Sequence, residues 1–200
     1  MGEHIVRFRW DDVAELHSFS SPRQPPCRLQ LNPLGSQAKA TYSSFCVQLL
    51  QMIHGLVVRE LRQIRDERGR VMHMLRADSS LFTRFGEIYF SVVNPGVVKA
   101  WRSHRRTTQH FAVPMGTIRL VVYDGRASAA GKGKIEVLEL GEDNYRFVTI
   151  PPLVWYGFKA VSPSPALVAN CMDYPYDPDE VSALHVFTEQ IPYDWGTDLT

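Results

Sequence analysis

From Met52 onward the chain is a succession of short runs, each closed by turn-forming residues. The runs are GLVVREL, RVMHML, EIYFSVV, VVKAW, HFAVPM, TIRLVVYD, IEVLEL, RFVTI, GFKAV and ALVANC; the breaks are DERG, NPG, DGRASAAGKGK, GEDN, PP and SPSP. Val, Ile, Phe and Tyr dominate the runs, and such side chains fit a pleated, half-buried surface. Gly, Pro, Asn and Asp end strands by supplying unusual φ values or removing a backbone donor. About ten such segments at regular spacing predict an all-β sandwich or barrel. No helical stripe of useful length competes after Met52, and the one helix candidate is Ser44 to Met52.

The texture before Met52 differs. Residues 18–44 are rich in Ser, Pro and Gln and carry no sustained periodicity, a composition that buries little surface. The division expected is a loosely structured N-terminal extension over 1–51 and a folded domain over 52–200. The extension is disordered in this reading, or not native, with Met52 the natural start. Phe45 to Val58 is too short and too interrupted by Gln48, Gln51 and His54 to span a bilayer. The first residues have no apolar stretch of a secretory signal. The formal net charge is +1, which leaves no global field to hold a nucleic-acid backbone. Cys27, Cys46 and Cys171 are far apart with no CxxC spacing, so a reducing cytoplasm is the simpler setting. These readings predict a soluble cytoplasmic protein with neither nucleic acid nor membrane as partner.

The stretch GVVKAWRSHRRTTQHFAVPMG, residues 96–116, carries the most chemistry. Its frame resembles the metal-binding motif of cupins: Gly, five residues, His, one residue, His, about four residues to Glu, and six more to Gly. Gly96, His104 and Gly116 keep the frame, while Arg102 takes the first His position and Gln109 the Glu position. In the second cupin motif, PPLVWY puts Tyr156 at the His position. His-x-His on a strand aims both imidazoles at one face, where a divalent metal can be shared. Arginine stays protonated and cannot ligate. The fold implied is a cupin jelly roll, a double-stranded β-helix, with no metal and no other cofactor.

Among metal-free relatives of that fold, residues 52–195 resemble the dTDP-4-dehydrorhamnose 3,5-epimerases. The resemblance rests on DERG, FGEIYFSVV, PGVVKAW, IRLVVYD, the run KIEVLELGEDN, IPP, GFKA, NCMDYPYDPDE and IPYDW. It implies an isomerase of deoxysugar or polysaccharide biosynthesis acting on a dTDP-4-keto-6-deoxyhexose. In such enzymes a histidine removes the proton beside the ketone, a lysine holds the enolate oxygen and a tyrosine returns a proton on the other face. Position by position, Lys99 and Arg68 match the basic groups that contact the diphosphate. Tyr174 falls near the tyrosine acid, with Tyr176 close by. The histidine base falls at Arg102, the lysine at Gln109 and a further histidine at Tyr156, and the segment LHVFTEQIPYDW supplies no recognisable orienting Asp.

An arginine is a poor general base, so the natural work of Arg102 is electrostatic, toward an enolate, carboxylate or phosphate. On a strand His104 shares a face with Arg102, which makes it the nearest replacement imidazole; a purely structural histidine is the other reading. The candidate catalytic residues are therefore His104, Tyr174 and Arg102, and the candidate substrate-binding residues Arg68, Lys99, Gln109 and Tyr156. Trp101, Trp155 and Trp195 read as core or interface aromatics. The alternative function is a catalytically silent relative that binds a nucleotide sugar or other anionic ligand. A homodimer is expected, with the Arg68 strand completing the neighbouring pocket.

Overall fold

The computed structural model describes residues 53–127, 129 and 131–196. The division at residue 52 and the helix candidate over 44–52 lie outside the described residues. Within them the chain forms twelve strands: β1 Val57–Glu60, β2 Gln63–Asp66, β3 Gly69–Met72, β4 Glu87–Val93, β5 Val98–His104, β6 Gln109–Met115, β7 Thr117–Tyr123, β8 Ile135–Gly141, β9 Arg146–Ile150, β10 Trp155–Ala160, β11 Ala166–Met172 and β12 Val181–Ala183. The described helical structure is one 3-10 turn, Pro178–Glu180.

Two five-stranded antiparallel sheets face each other, in the orders β1-β9-β6-β11-β4 and β12-β5-β10-β7-β8. From β4 to β12 consecutive strands alternate between the two sheets, except for the β7–β8 hairpin, the pattern of a jelly roll. The alternation read from the sequence explains how they pack. Along β7, Ile118, Leu120 and Val122 turn inward against Phe111 and Val113 of β6 and Val148 and Ile150 of β9. The odd-numbered Val121 faces the other way, yet is also fully buried, because Trp101, Ile191 and Trp195 form a second small core behind the sheet. Burial on both faces is why the second half of β7, Leu120 to Tyr123, is continuously apolar, whereas Arg119 before it is exposed. Trp101 and Trp195 pack at 5.1 Å between centroids with their rings tilted by 45°, and Trp155 packs in the same cluster, so these aromatics serve packing.

The strands the sequence does not reveal are β2 and β12. QIRD has one apolar residue and VSA is three residues long, so neither has an alternation to read. The β2–β3 hairpin turns through Glu67 and Arg68, with Asp66 opposite Gly69. Asp66 accepts from the Arg68 N–H at 2.8 Å, and Gly69 takes φ +137°, which an L side chain tolerates poorly. The hairpin is held to the body by an Arg70–Glu142 ion pair and by Gln63 donating to the Glu142 carbonyl at 2.6 Å.

Candidate active site

The inner faces of β4, β5, β10 and β11 enclose a cavity of about 300 Å3 between the sheets. Its floor is apolar: Phe111 stands edge-on to both Tyr156 and Phe158, at 5.3 and 5.9 Å. The polar groups around that floor are Tyr89, Ser91, Lys99, Arg102, Tyr156 and Asn170. Two cations and no carboxylate line the space, so it favours an anion or a group that becomes one.

The positions follow from strand pleat and pairing. On β4, Tyr89 and Ser91 turn in while Ile88, Phe90 and Val92 turn out to solvent. Lys99 on β5 reaches across to β4, donating to Ser91 Oγ at 2.8 Å and the Val92 carbonyl at 2.9 Å. Arg102 lies opposite Tyr156 of β10, just before a register shift between Tyr156 and Phe158. Gly157 sits at that shift, where a Cβ would come within 2.4 Å of the Ala100 side chain.

Behind Tyr156 runs a buried chain of hydrogen bonds. The Tyr156 hydroxyl is 3.1 Å from His104 Nε2, and His104 Nδ1 is 2.8 Å from Glu180 Oε1. All three residues are buried. Burial works against ionising Glu180, but contacts from Thr107, the Arg106 N–H at 3.0 Å and His104 outweigh it and hold the carboxyl down to about 2. Burial, helped by Tyr89 and opposed by Arg102, pushes the Tyr156 hydroxyl far above the usual phenol range. Tyr89 moves the same way, chiefly by burial, with Asn170 and Arg102 pulling back.

A second network lies across the cavity. Asn170 Nδ2 donates to the Tyr89 hydroxyl at 2.9 Å and to Gln109 Oε1 at 2.5 Å, while its Oδ1 accepts from the His110 N–H at 3.2 Å. Asn170 is thereby locked, and the hydrogen of the Tyr89 hydroxyl is left to point elsewhere.

Of the residues singled out from the sequence, Arg102, Lys99 and Tyr156 line the cavity together. Gln109 stands one layer back, against Asn170. His104 does not line the cavity with Arg102; the long Tyr156 side chain reaches between, so the imidazole meets the cavity only through that hydroxyl. Tyr174 lies elsewhere, its ring centroid 3.3 Å from the Arg84 guanidinium and 5.1 Å from that of Arg106. Arg68 sits at the exposed hairpin turn, paired with Asp66 at 2.6 Å. Sequence reasoning missed Tyr89, Asn170 and Glu180. The alternation in EIYFSVV marks Tyr89 as sharing a face with Ser91, but Glu180 meets His104 over 76 positions, and no local signal carries that.

The sequence profile of the dTDP-4-dehydrorhamnose 3,5-epimerase family matches residues 51–200. The chain is 36% identical over 148 residues to the probable low-salt glycan biosynthesis epimerase Agl13 of Haloferax volcanii, covering 71% of this chain and 89% of that one. It is 30% identical over 150 residues to the spore coat polysaccharide biosynthesis protein SpsL of Bacillus subtilis, covering 74% and 99%. The crystal structure of a dTDP sugar isomerase from Desulfovibrio desulfuricans superposes with a TM-score of 0.71 at 50% identity, over 74% of this chain and 95% of that one.

Proposed function

Because the chain belongs to the dTDP-4-dehydrorhamnose 3,5-epimerase family, we propose that it epimerises a dTDP-4-keto-6-deoxyhexose on the way to a deoxysugar or surface polysaccharide. The observation that carries this reading is the cavity itself: an apolar floor, two tyrosine hydroxyls, Arg102 and Lys99, with no carboxylate in the lining. A proton beside a ketone leaves when the enolate oxygen is stabilised, and a guanidinium in a half-enclosed site supplies that stabilisation. Arg102 is the group for the enolate or an adjacent phosphate. Lys99, already oriented by Ser91 and Val92, is the group for the diphosphate.

The active unit in this reading is a cytoplasmic homodimer. Ile88, Phe90 and Val92 form an exposed apolar stripe on β4, the edge strand of its sheet, and an unpaired edge of this kind is usually covered. The exposed hairpin would bring Arg68 to the neighbouring cavity. The domain in this reading is residues 52–200, a boundary supported by the family match over residues 51–200.

The test is proton NMR of dTDP-4-keto-6-deoxyglucose incubated with the full chain in D2O. Loss of the C3 or C5 proton signal is the expected result. No exchange over hours, with dTDP still bound, would overturn the epimerase reading for this sugar and leave the silent binder, which the arginine at position 102 favours.

A further inference from the structure

We propose that Tyr156, backed by His104 and Glu180, is the group that takes the proton from the sugar, so that a three-residue relay stands in for the base absent at position 102. This deepens the epimerase reading and rests on it.

The hydrogen-bond directions follow for a neutral His104, the form of the imidazole that can receive a proton. An ionised Glu180 only accepts, so His104 donates through Nδ1 at 2.8 Å. The neutral imidazole is then an acceptor at Nε2, and the Tyr156 hydroxyl donates to it at 3.1 Å. The hydrogen of that hydroxyl thus points to His104, which leaves the oxygen's lone pairs free to accept. Of the three, Tyr156 alone lines the cavity, so a ligand reaches the imidazole only through the phenol.

The step balances without any further reactant. The substrate C–H bond breaks and its proton goes to the Tyr156 oxygen as the tyrosine passes its own proton to His104 Nε2. The carbon's electron pair becomes the enolate. His104 becomes imidazolium beside the Glu180 carboxylate, and the enolate's charge falls to Arg102, opposite Tyr156 on the neighbouring strand. Tyr156 is neutral before and after. Its burial resists a resting phenolate and favours the transfer of both protons together. Reversed, the same chain returns a proton to the face it left, which exchanges the hydrogen; inversion takes its proton from a donor on the opposite face. Tyr156 is the catalytic residue of the relay, and His104 and Glu180 are positioning residues that act through it.

The test follows proton loss from dTDP-4-keto-6-deoxyglucose in D2O with the wild-type chain, Tyr156→Phe and His104→Gln, alongside dTDP affinity. Tyr156→Phe keeps the ring that packs on Phe111 and removes only the oxygen. It is expected to slow exchange at least about 100-fold, the usual weight of a general base, with dTDP affinity held within about twofold. His104→Gln still accepts from the phenol but cannot carry its proton, so kcat falls with KM unchanged, a split that a packing role does not produce. Exchange by Tyr156→Phe within about threefold of the wild type would overturn the relay while leaving the epimerase reading intact. A wild type that binds dTDP and exchanges nothing would overturn both. Should His104→Gln fail to fold, Tyr156→Phe decides alone.

Discussion

Arg102 and Glu180 show how the same cavity can depend on one exposed charge and one buried charge. Arg102 is open to solvent at the cavity wall, with a single weak hydrogen bond to the Trp101 carbonyl at 3.4 Å, so its removal perturbs packing little. Arg102→Gln is expected to leave the melting temperature unchanged and to lower kcat for proton exchange by about 100-fold, as loss of a charge aimed at an oxyanion does. Glu180 is the opposite case. Its folded pKa of about 2 lies below the ordinary 4.5, so the unfolded chain binds a proton more readily than the native one. The stabilisation is complete above pH 4.5 and is lost as pH falls toward 2. Asp124, fully buried and held low by its Arg126 hydrogen bonds, acts in the same direction. Glu180→Gln should lower stability at neutral pH by about 1–3 kcal/mol and flatten the decline between pH 4.5 and 2. Urea midpoints across that range check both; an unchanged acid slope would contradict the assignment.

At the scale of elements, the cavity owes its shape to the seam between β5 and β10. Gly157 lets the two backbones close at the register shift, where a Cβ would meet the Ala100 side chain and come within 3.0 Å of the Trp195 ring. A methyl group there forces the strands apart, and the space it needs is already filled. Gly157→Ala is expected to cost about 1–3 kcal/mol, read as a lower denaturant midpoint, and to weaken dTDP binding by displacing Arg102 and Tyr156 together. A variant as stable as the wild type would show that the seam yields. The strands that build this seam are legible in the sequence, since VVKAW and GFKAV mark β5 and β10 by composition. The register shift is not legible, because glycine in a strand is equally consistent with a bulge, a bend or a close approach.

Across the whole molecule, the two sheets differ in how they are covered. The β12-to-β8 sheet carries Trp101 and Trp195 on its outer side, whereas the outer side of β4 leaves Phe90 61% and Val92 58% exposed. Phe90→Glu is expected to convert the proposed dimer to a monomer in sedimentation velocity, without unfolding it; an unchanged sedimentation coefficient would place any interface elsewhere. The sequence by itself determined the all-β class, through short Val-, Ile-, Phe- and Tyr-rich runs closed by turn residues, which each segment carries alone. Lys99, Arg102 and Tyr156 are singled out by the resemblance to the epimerase family, and the fold brings the three to one cavity. Only the tertiary structure decided that His104 reaches the cavity through Tyr156, 52 positions away, and is held by Glu180, 76 positions away. It also decided that Tyr174 lies with Arg84 and Arg106. Such pairings arise from which strands lie side by side and how far each side chain reaches, and neither property belongs to any one segment.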